Sequence, residues 1–350
     1  MLTASGIARI LAPAPRKPAP RKASAKRSRR PKRLPKRVER IRRPAPGSFV
    51  DGYFKCPTSA LVYKLYTPTG SARRRLPLLV MLHGCTKTAA DFAVGTDMNR
   101  LADELGFLVL YPEQSTSANM MRCWNWFRLE NQSRGSGEAA IIAGMTRELI
   151  ITCKANPARV YIAGISAGGS AAAIIAAAYP ELYVAVGVHS AVAKGNITGA
   201  RSAFSATRGF SAGVDTARPR RPVPTILFQG DRDRAVHPSS AEGFVRSLTR
   251  SIPRLGLDRT VHVPPGNARS YTRTIYAKGK AKPLLEVWMV HGAGHAWSGG
   301  SGRGSFTDPI GPSASRAMMR FFLARKRATR TTAAKASSVR RPRARSPLRR

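Results

Sequence analysis

The middle of the chain consists of short apolar runs separated by polar and glycine-rich segments. Runs of this kind, several ending in glycine, are typical of strands that are buried on both faces of a sheet. The predicted buried strands are 76–84, 107–113, 158–165, 183–190, 225–230 and 284–292. Residues 60–68 alternate between apolar and polar, which predicts an antiparallel edge strand, and a polar strand is predicted around 270–278.

Helical spacing of apolar residues occurs between these runs. Helices are predicted at 97–106, at 137–153, after residue 165, at 239–251 and at roughly 310–325. Strands that alternate with helices predict an α/β fold with a mostly parallel sheet covered by helices on both faces. Residues 191–222 are polar and rich in Arg, Gly and Pro, so we expect a surface excursion there. No internal repeat is visible.

Charge separates the two ends from this middle part. The 350 residues contain 60 Lys and Arg but only 18 Asp and Glu, a formal net charge of +42. Residues 1–43 hold sixteen basic residues and one acid, and residues 324–350 hold eleven basic residues and no acid. Self-repulsion and the scarcity of aromatic residues prevent such segments from forming a core. We therefore predict disordered basic tails at 1–47 and 324–350 around a domain at 48–323.

The basic tails predict either contact with a polyanion or simple solubilisation. Nucleic acid, an anionic membrane and an anionic granule surface are the polyanions considered, without sequence-specific readout. The first twenty residues lack the apolar segment of a signal peptide, and no run is long enough to span a membrane. This pattern favours a cytoplasmic or granule-associated protein. Its oligomeric state is not predicted.

The four cysteines are Cys56, Cys85, Cys123 and Cys153, and their spacing is not that of a zinc site. In a reducing compartment they are expected to be structural thiols. Export would instead allow a Cys85–Cys123 or a Cys56–Cys123 disulfide. No metal or cofactor is predicted.

A candidate nucleophile lies where one buried run meets an alanine-rich helix. Residues 164–168 read Gly-Ile-Ser-Ala-Gly and fit the G-x-S-x-G pattern. A serine on a tight strand-to-helix turn has strained backbone angles, and small residues on either side leave room for that turn. The helix that begins there directs free N–H groups at the place where an oxyanion forms. The pattern predicts that Ser166 is the nucleophile of a hydrolase.

A serine nucleophile needs a base and an orienting acid, which in this architecture follow it in the order acid, histidine. Of the six histidines, His295 lies in a glycine-rich loop directly after the last apolar run, and His291 is its competitor. The acid is expected after residues 225–230, where Asp233 is favoured and Asp231 is the alternative. Asp231 could instead brace the turn through hydrogen bonds to the backbone.

The oxyanion hole is predicted to be formed by the backbone N–H groups of Ala167 and Cys85. Ala167 follows the nucleophile, and Cys85 follows the apolar run 76–84 in a loop that His83 and Gly84 begin. Cys85 could also be considered as a nucleophile, but no base is placed for it. His83 and Asn125 are expected to be structural.

Five motifs in order carry a family resemblance over roughly residues 50–323. They are "LVMLHGCTKTAADFAVGTDMNRLADELGFLVLYPEQS", "MRCWNWF", "RVYIAGISAGGSAAA", "GDRDRAVHP" and "GAGHAWSGG". Together they resemble the esterase family of polyhydroxybutyrate (PHB) depolymerases, to which acetylxylan and feruloyl esterases are related. The resemblance implies an α/β-hydrolase fold, a carboxylic-ester substrate, and Ser166, Asp233 and His295 as the triad, with no metal or cofactor.

The resemblance also extends to possible substrate contacts and to the substrate. Trp124, Trp126 and Trp297 resemble family positions near the cleft, where they would form an apolar wall for the substrate; otherwise they pack in the core. Polymer-degrading members often add a polymer-binding domain, whereas here a basic tail follows. Esters of the 3-hydroxybutyrate type are the expected substrates, with acetyl or feruloyl esters as the alternative.

A different class of function is polyanion binding through the tails, with an incidental hydrolase core. Members of the family are often exported, which makes an extracellular location the alternative.

Overall fold

The computed structural model describes residues 47–56, 59–70, 75–193, 197, 199–209 and 221–328. The predicted tails therefore lie outside the described residues, except for Gly47 and residues 324–328, and so does most of the predicted surface excursion at 191–222. The strands are β1 (Ser48–Cys56), β2 (Ser59–Thr67), β3 (Leu78–Leu82), β4 (Leu108–Glu113), β5 (Val160–Ile165), β6 (Ala185–His189), β7 (Thr225–Gly230), β8 (Gly256–Val263), β9 (Tyr271–Ala277), β10 (Leu285–Val290), β11 (Trp297–Ser298) and β12 (Thr307–Asp308).

Seven α-helices connect the strands within the described ranges. They are α1 (Ala89–Thr96), α2 (Met98–Leu105), α3 (Gly137–Thr152), α4 (Ala167–Ala178), α5 (Ala200–Thr207), α6 (Ser239–Ser251) and α7 (Ala314–Leu323), with a single 3-10 turn at Leu129–Asn131. None of the helices in the described part of the chain is both long and apolar enough to cross a membrane.

Ten strands form one sheet in the order β1-β2-β4-β3-β5-β6-β7-β10-β9-β8. The six strands from β4 to β10 in this order are parallel, and β2 and β9 flank them as antiparallel strands. β1 and β8 pair antiparallel to β2 and β9, and so run in the same direction as the central strands. The sheet therefore has one edge where the central strands begin, the amino edge, and one where they end, the carboxyl edge.

The alternation of side chains along β5 shows how the sheet is covered. Val160 and Ile162 belong to one buried cluster with residues of α3, α4 and α6, whereas Tyr161, Ala163 and Ile165 belong to a second cluster with residues of α1, α2 and α7. Because successive strand side chains point to opposite faces, a strand with apolar residues at every position packs against both helical layers. This confirms the predicted α/β architecture with two covered faces.

The predicted elements agree with the structure at the centre of the sheet and differ at its margins. The alternating strand at 60–68 is β2, but β1 pairs outside it, so β2 is not the edge. β8 at the opposite edge is exposed along almost all of its length and has no apolar pattern that would predict it. Helix α1 also escapes prediction because it is buried on more than one side and has no amphipathic spacing.

The last described residues pack on the domain beyond the predicted boundary at 323. Tyr161 donates its hydroxyl to the Arg325 carbonyl at 2.8 Å, and the Arg327 N–H donates to the Ala158 carbonyl at 2.9 Å. Both partners lie at the start of β5. The chain therefore leaves the domain at the amino edge of the sheet.

Candidate active site

Ser166 lies on the turn between β5 and α4 with φ 57° and ψ −126°. This positive φ is unusual for a residue with a side chain and marks a strained turn. A Cβ on Gly164 would collide with the Gly168 carbonyl, and one on Gly168 would collide with the carbonyls of Leu82 and His83. The two glycines are therefore required for the close approach of β3, β5 and α4, as the G-x-S-x-G pattern predicts.

The backbone beside Ser166 comes from two elements. A Cβ built on Gly84 would lie 3.5 Å from the Ser166 Cβ, which places the loop after β3 directly against the serine. Ala167 is the first residue of α4, where backbone N–H groups have no acceptor four residues earlier in the helix. Cys85 follows Gly84 and Ala167 follows Ser166, and the two residues remain the predicted donors of the oxyanion hole.

Asp233 and His295 form a close pair. The Nδ1 of His295 lies 2.8 Å from Oδ2 of Asp233, whose side chain is fully buried. Its other oxygen accepts the N–H groups of Ala235 and Val236 at 2.9 and 2.8 Å. Burial alone would raise the pKa of Asp233, but the His295 hydrogen bond and the Val236 N–H hold the pKa below its ordinary value. The carboxylate is therefore ionised and fixed beside the imidazole.

Asp231 and His291, the alternative acid and base, contact each other. The His291 Nδ1 lies 3.0 Å from Oδ2 of Asp231, and the Gly292 N–H donates to Oδ1 of Asp231 at 2.7 Å. His291 Nε2 lies 2.9 Å from the Thr272 hydroxyl on β9. Because both His291 nitrogens contact these neighbours, this exposed pair braces the loops after β7 and β10. Asp231 therefore acts as the turn brace that the sequence allowed.

His189, at the end of β6, connects the nucleophile to the histidine loop. Its carbonyl accepts the Ser166 N–H at 2.9 Å, and its ring Nε2 accepts the Ser298 N–H at 3.0 Å. The ring stacks between Trp297 and Phe228, at centroid distances of 5.0 and 5.7 Å. Burial, followed by the nearby His295, lowers the pKa of His189 to about 3, so the ring is neutral. The sequence analysis did not single out His189. Its place at the carboxyl end of an apolar strand could have indicated that it lies near the nucleophile.

A disulfide joins the loop after β3 to the loop after β4. The Cys85 and Cys123 sulfurs are 2.01 Å apart, so the expectation of thiols is wrong for these two residues. The Thr86 N–H also donates to the Met121 carbonyl at 2.6 Å. Met120 and Met121 are 90% and 57% exposed beside this cross-link. The sequence analysis did not single out these two exposed methionines, because an isolated Met-Met pair in a loop carries no sequence signal.

The three tryptophans lie in the interior, which differs from the predicted cleft wall. Trp124 is fully buried and donates its Nε1–H to the His83 carbonyl at 3.1 Å. Trp297 donates to the Ser315 hydroxyl at 3.0 Å and packs edge-on against Phe92. Trp126 is also buried and belongs to the core cluster. Their low exposure agrees with the alternative that they pack in the core.

His83 and Asn125 have the structural roles expected of them. His83 Nε2 accepts the Gln114 N–H at 3.1 Å, and Nδ1 faces the Gly84 carbonyl at 2.7 Å. Asn125 donates its N–H and side-chain amide to the buried carboxyl of Glu138, at 2.8 and 2.9 Å. Burial raises the pKa of Glu138 above its ordinary value. These contacts hold the loop after β4 against α3.

One apolar cavity lies beside the nucleophile helix. It has a volume of about 260 Å³ and lies between α4, α6 and the segment before β7, with Val186 and Thr225 in its wall. Thr225 is the first residue of β7, so the cavity opens near the amino edge. Within the described ranges, no three His, Cys, Asp or Glu side chains lie together as a metal site would require.

Comparison with known proteins gives the family. Residues 61–252 match the model of the esterase PHB depolymerase family. The chain belongs to this family of esterases. The predicted class of enzyme, a hydrolase of carboxylic esters, is thereby confirmed.

Several curated relatives and one solved structure resemble this esterase. Poly(3-hydroxyalkanoate) depolymerase C of Paucimonas lemoignei is 30% identical over 63% of this chain, and the match spans only 54% of that relative. Feruloyl esterase B of Neurospora crassa is 29% identical over 76% of this chain and 88% of its own length. The acetyl xylan esterase from Aspergillus awamori has a TM-score of 0.56 with 21% identity, covering 67% of this chain and 89% of its own, and shows the shared fold.

Proposed function

We propose that this esterase hydrolyses esters of the 3-hydroxybutyrate type with Ser166 as nucleophile, His295 as base and Asp233 as orienting acid. The observation that carries the proposal is the buried 2.8 Å Asp233–His295 pair at the same sheet edge as the strained Ser166 turn. β5, β6, β7 and β10 are neighbours in the sheet, so their carboxyl ends bring the three residues to one edge.

The reaction begins with attack of Ser166 Oγ on the ester carbonyl carbon. His295 Nε2 takes the serine proton as the C–O bond forms, and the imidazolium is stabilised by the ionised Asp233. The N–H groups of Ala167 and Cys85 donate to the tetrahedral oxyanion. When the intermediate collapses, the ester C–O bond breaks and His295 returns the proton to the departing alcohol.

Water completes the cycle on the acyl-enzyme. His295 removes a proton from the water as its oxygen attacks the acyl carbon, and the second intermediate is stabilised by the same two N–H groups. Collapse releases the carboxylic acid and returns the proton to Ser166. No step requires a redox change or an additional co-reactant.

The exposed methionines support an apolar acyl or polyester substrate. Met120 and Met121 lie beside the Cys85 loop, and flexible thioether side chains adapt to apolar surfaces of irregular shape. The name of the Paucimonas lemoignei relative, a poly(3-hydroxyalkanoate) depolymerase, points to the same substrate class.

Feruloyl or acetyl ester cleavage is the second candidate. The match to feruloyl esterase B of Neurospora crassa covers more of both chains than the match to the depolymerase. A panel of soluble 3-hydroxybutyrate oligomers, methyl ferulate and acetylated xylan separates the two candidates. The highest kcat/KM on ferulate or acetylated xylan would replace the 3-hydroxybutyrate proposal.

The nucleophile is tested by Ser166→Ala in the full chain. Hydrolysis of p-nitrophenyl butyrate is expected to fall by at least about 10³-fold, because no other group in the mechanism forms the acyl-enzyme. Ser117→Ala, at an exposed serine in the loop after β4, is the matched control and keeps its activity. An unchanged far-UV spectrum with most of the activity left in Ser166→Ala would reject the proposed nucleophile.

The Cys85–Cys123 disulfide supports the extracellular location rather than the cytoplasmic one that the sequence favoured. Disulfides persist in oxidising compartments and are reduced in most cytosols. Maleimide labelling of the protein from separated cell fractions, before and after reduction, tests this. We expect the oxidised pair to be found outside the cytosol; reduced cysteines in a cytosolic fraction would restore the original prediction.

A further inference from the structure

The amino edge of the sheet concentrates positive charge. The described loops that connect elements at this edge contain eleven basic residues and one acid, Glu181. The basic residues are Arg75, Lys154, Arg159, Arg221, Arg254, Lys278, Lys280, Lys282, Arg325, Lys326 and Arg327. Glu181 is already paired with Arg134 and Arg147, which lie on the flanking loop and helix. Carboxylates on the adjoining elements, Asp103, Asp258 and Glu286, are also engaged with neighbouring side chains, so the loop cations leave an excess of positive charge.

Several of these cations bind backbone carbonyls instead of carboxylates. Lys282 Nζ donates to the Ala324 carbonyl at 2.9 Å, and Arg159 donates to the Leu323 carbonyl at 3.0 Å. Arg325 donates to the carbonyls of Phe321 and Pro283, and Arg327 donates to that of Pro157. A carbonyl bond orders a side chain without cancelling its charge, so the cations keep their attraction for an external anion.

The fold also forces like charges together. Burial lowers the pKa of Arg327, and the neighbouring Arg221 lowers the pKa further. The pKa of Arg325 falls to about 10, mainly through burial; the nearby Glu286 opposes this shift and Arg320 adds to it. Both groups remain cationic at neutral pH. Such repulsion is relieved when a polyanion binds.

The described domain begins and ends at this same edge. β1 begins at Ser48, and the Gly47 N–H bonds the Thr67 carbonyl at the amino edge. The chain leaves α7 beside the start of β5, and residues 329–350 add eight further Lys and Arg. The proposed catalytic residues follow the opposite ends of the strands. The positively charged edge and the proposed active site therefore lie at opposite ends of the central strands.

We propose that the amino edge binds the phosphodiester backbone of a nucleic acid duplex while the active site stays open. Basic residues lie in the loops beside β3, β5, β7, β10, β9 and β8, within seven adjacent sheet positions that span roughly 29 Å at about 4.8 Å per strand, while the loop before β6 carries Glu181. A row of this kind fits a linear polymer, and guanidinium forks fit phosphate oxygens.

The test compares two triple variants of the full chain with equal net charge. One is Lys278→Gln/Lys280→Gln/Lys282→Gln at the amino edge. The matched control is Arg128→Gln/Arg234→Gln/Arg303→Gln, three exposed residues in loops of the carboxyl edge. Binding of a fluorescent 20-bp duplex of arbitrary sequence is measured by anisotropy over a salt series, at protein concentrations that keep each variant folded by circular dichroism.

The expected result is a change in the salt slope. Each phosphate contact adds about 0.9 to the slope of log Kobs against log salt, so the amino-edge variant loses about 2 to 3 while the control changes by less than about 1. Equal losses in both variants would mean that net charge and tails alone bind the duplex, and would overturn the proposal. No loss in either variant would overturn it as well.

Two further measurements complete the test. Vesicles containing anionic phosphatidylserine replace the duplex; a larger effect of the amino-edge variant on vesicles than on duplex would assign the surface to membranes and overturn the nucleic-acid proposal. Hydrolysis of a soluble p-nitrophenyl ester is measured with duplex at saturation and is expected to remain within about twofold, because the two edges are opposite. A tenfold loss would show that the duplex covers the active site.

Discussion

At the scale of single residues, two neighbouring Asp–His pairs have different environments. Asp233 has a buried side chain and contacts His295 at 2.8 Å, whereas the Asp231 side chain is 36% exposed and contacts His291 at 3.0 Å. A carboxylate orients and stabilises an imidazolium best where water does not screen it. The burial of Asp233, rather than the presence of a partner, distinguishes the proposed catalytic pair.

The two pairs give a matched prediction for the orienting acid. Asp233→Asn is expected to lower kcat on a soluble ester by on the order of 10³–10⁴-fold, because the amide neither holds the tautomer nor stabilises the imidazolium. Asp231→Asn is expected to change kcat by less than about threefold. Both are measured by steady-state kinetics with thermal unfolding as a fold control, and the reverse ranking would transfer the role to Asp231 and His291.

At the scale of elements, the turn between β5 and α4 depends on small residues. Gly168→Ala puts a Cβ against the backbone carbonyls of Leu82 and His83, which cannot move without displacing β3. We expect the free energy of unfolding to fall by about 1–3 kcal/mol, with a loss of activity. Gly266→Ala is the control, because nothing lies within 4 Å of its new Cβ. Urea titration of both variants decides the point; equal stabilities would show that the turn tolerates a side chain.

The disulfide joins the loop after β3 to the loop after β4. It closes a segment of 38 residues between the loop of the proposed oxyanion hole and the loop that carries Met120 and Met121. Cys85→Ser/Cys123→Ser is expected to lower the free energy of unfolding by about 2–4 kcal/mol, since the unfolded chain is no longer constrained.

Denaturant titration measures the effect of the double substitution. The single substitution Cys153→Ser, at a buried residue outside the disulfide, is the comparison for the loss of a buried sulfur. Equal changes in both variants would assign the effect to packing rather than to the cross-link.

At the scale of the whole molecule, the stability should depend on pH through His189. Its ring is fully buried with a pKa of about 3, compared with 6.5 for an unperturbed histidine. The unfolded chain therefore binds the proton more readily. This contribution to stability is complete above pH 6.5 and is lost progressively as the pH falls from 6.5 towards 3.

The expected loss between pH 6.5 and pH 5 is about 2 kcal/mol from this residue. His189→Gln, which keeps an amide oxygen to accept the Ser298 N–H, is expected to be less stable at pH 7 but to have a flatter pH profile below 6.5. Chemical denaturation at several pH values measures both profiles. Parallel profiles would show that another group causes the acid sensitivity.

The charge pattern is also a property of the whole molecule. The composition predicts basic ends, but not that the described domain begins and ends at one edge of the sheet, which follows from the directions of β1 and α7. Lys278 and Lys282 lie far from those ends in sequence and reach the same edge because β9 and β10 are antiparallel neighbours. The predicted polyanion contact through the tails remains a prediction, extended by the proposal for the amino edge.

The sequence by itself determined the central strands, the nucleophile turn and the order of the proposed triad. These are local or periodic features: continuous apolar runs require burial on both faces, and a serine between glycines requires a strand-to-helix turn. The same local information could not place the margins of the sheet, where β8 is exposed and pairs only with β9.

Only the tertiary structure decided between equivalent residues that are distant in the chain. In the structure Asp233 contacts His295, and Asp231 contacts His291. Cys85 forms a disulfide with Cys123, and the three tryptophans predicted to contact substrate are buried. Each of these outcomes depends on which loops the parallel strands bring to one edge. The burial of a side chain and the partner that it contacts depend on which residues are its neighbours in space, and the order of residues in the chain does not specify those neighbours.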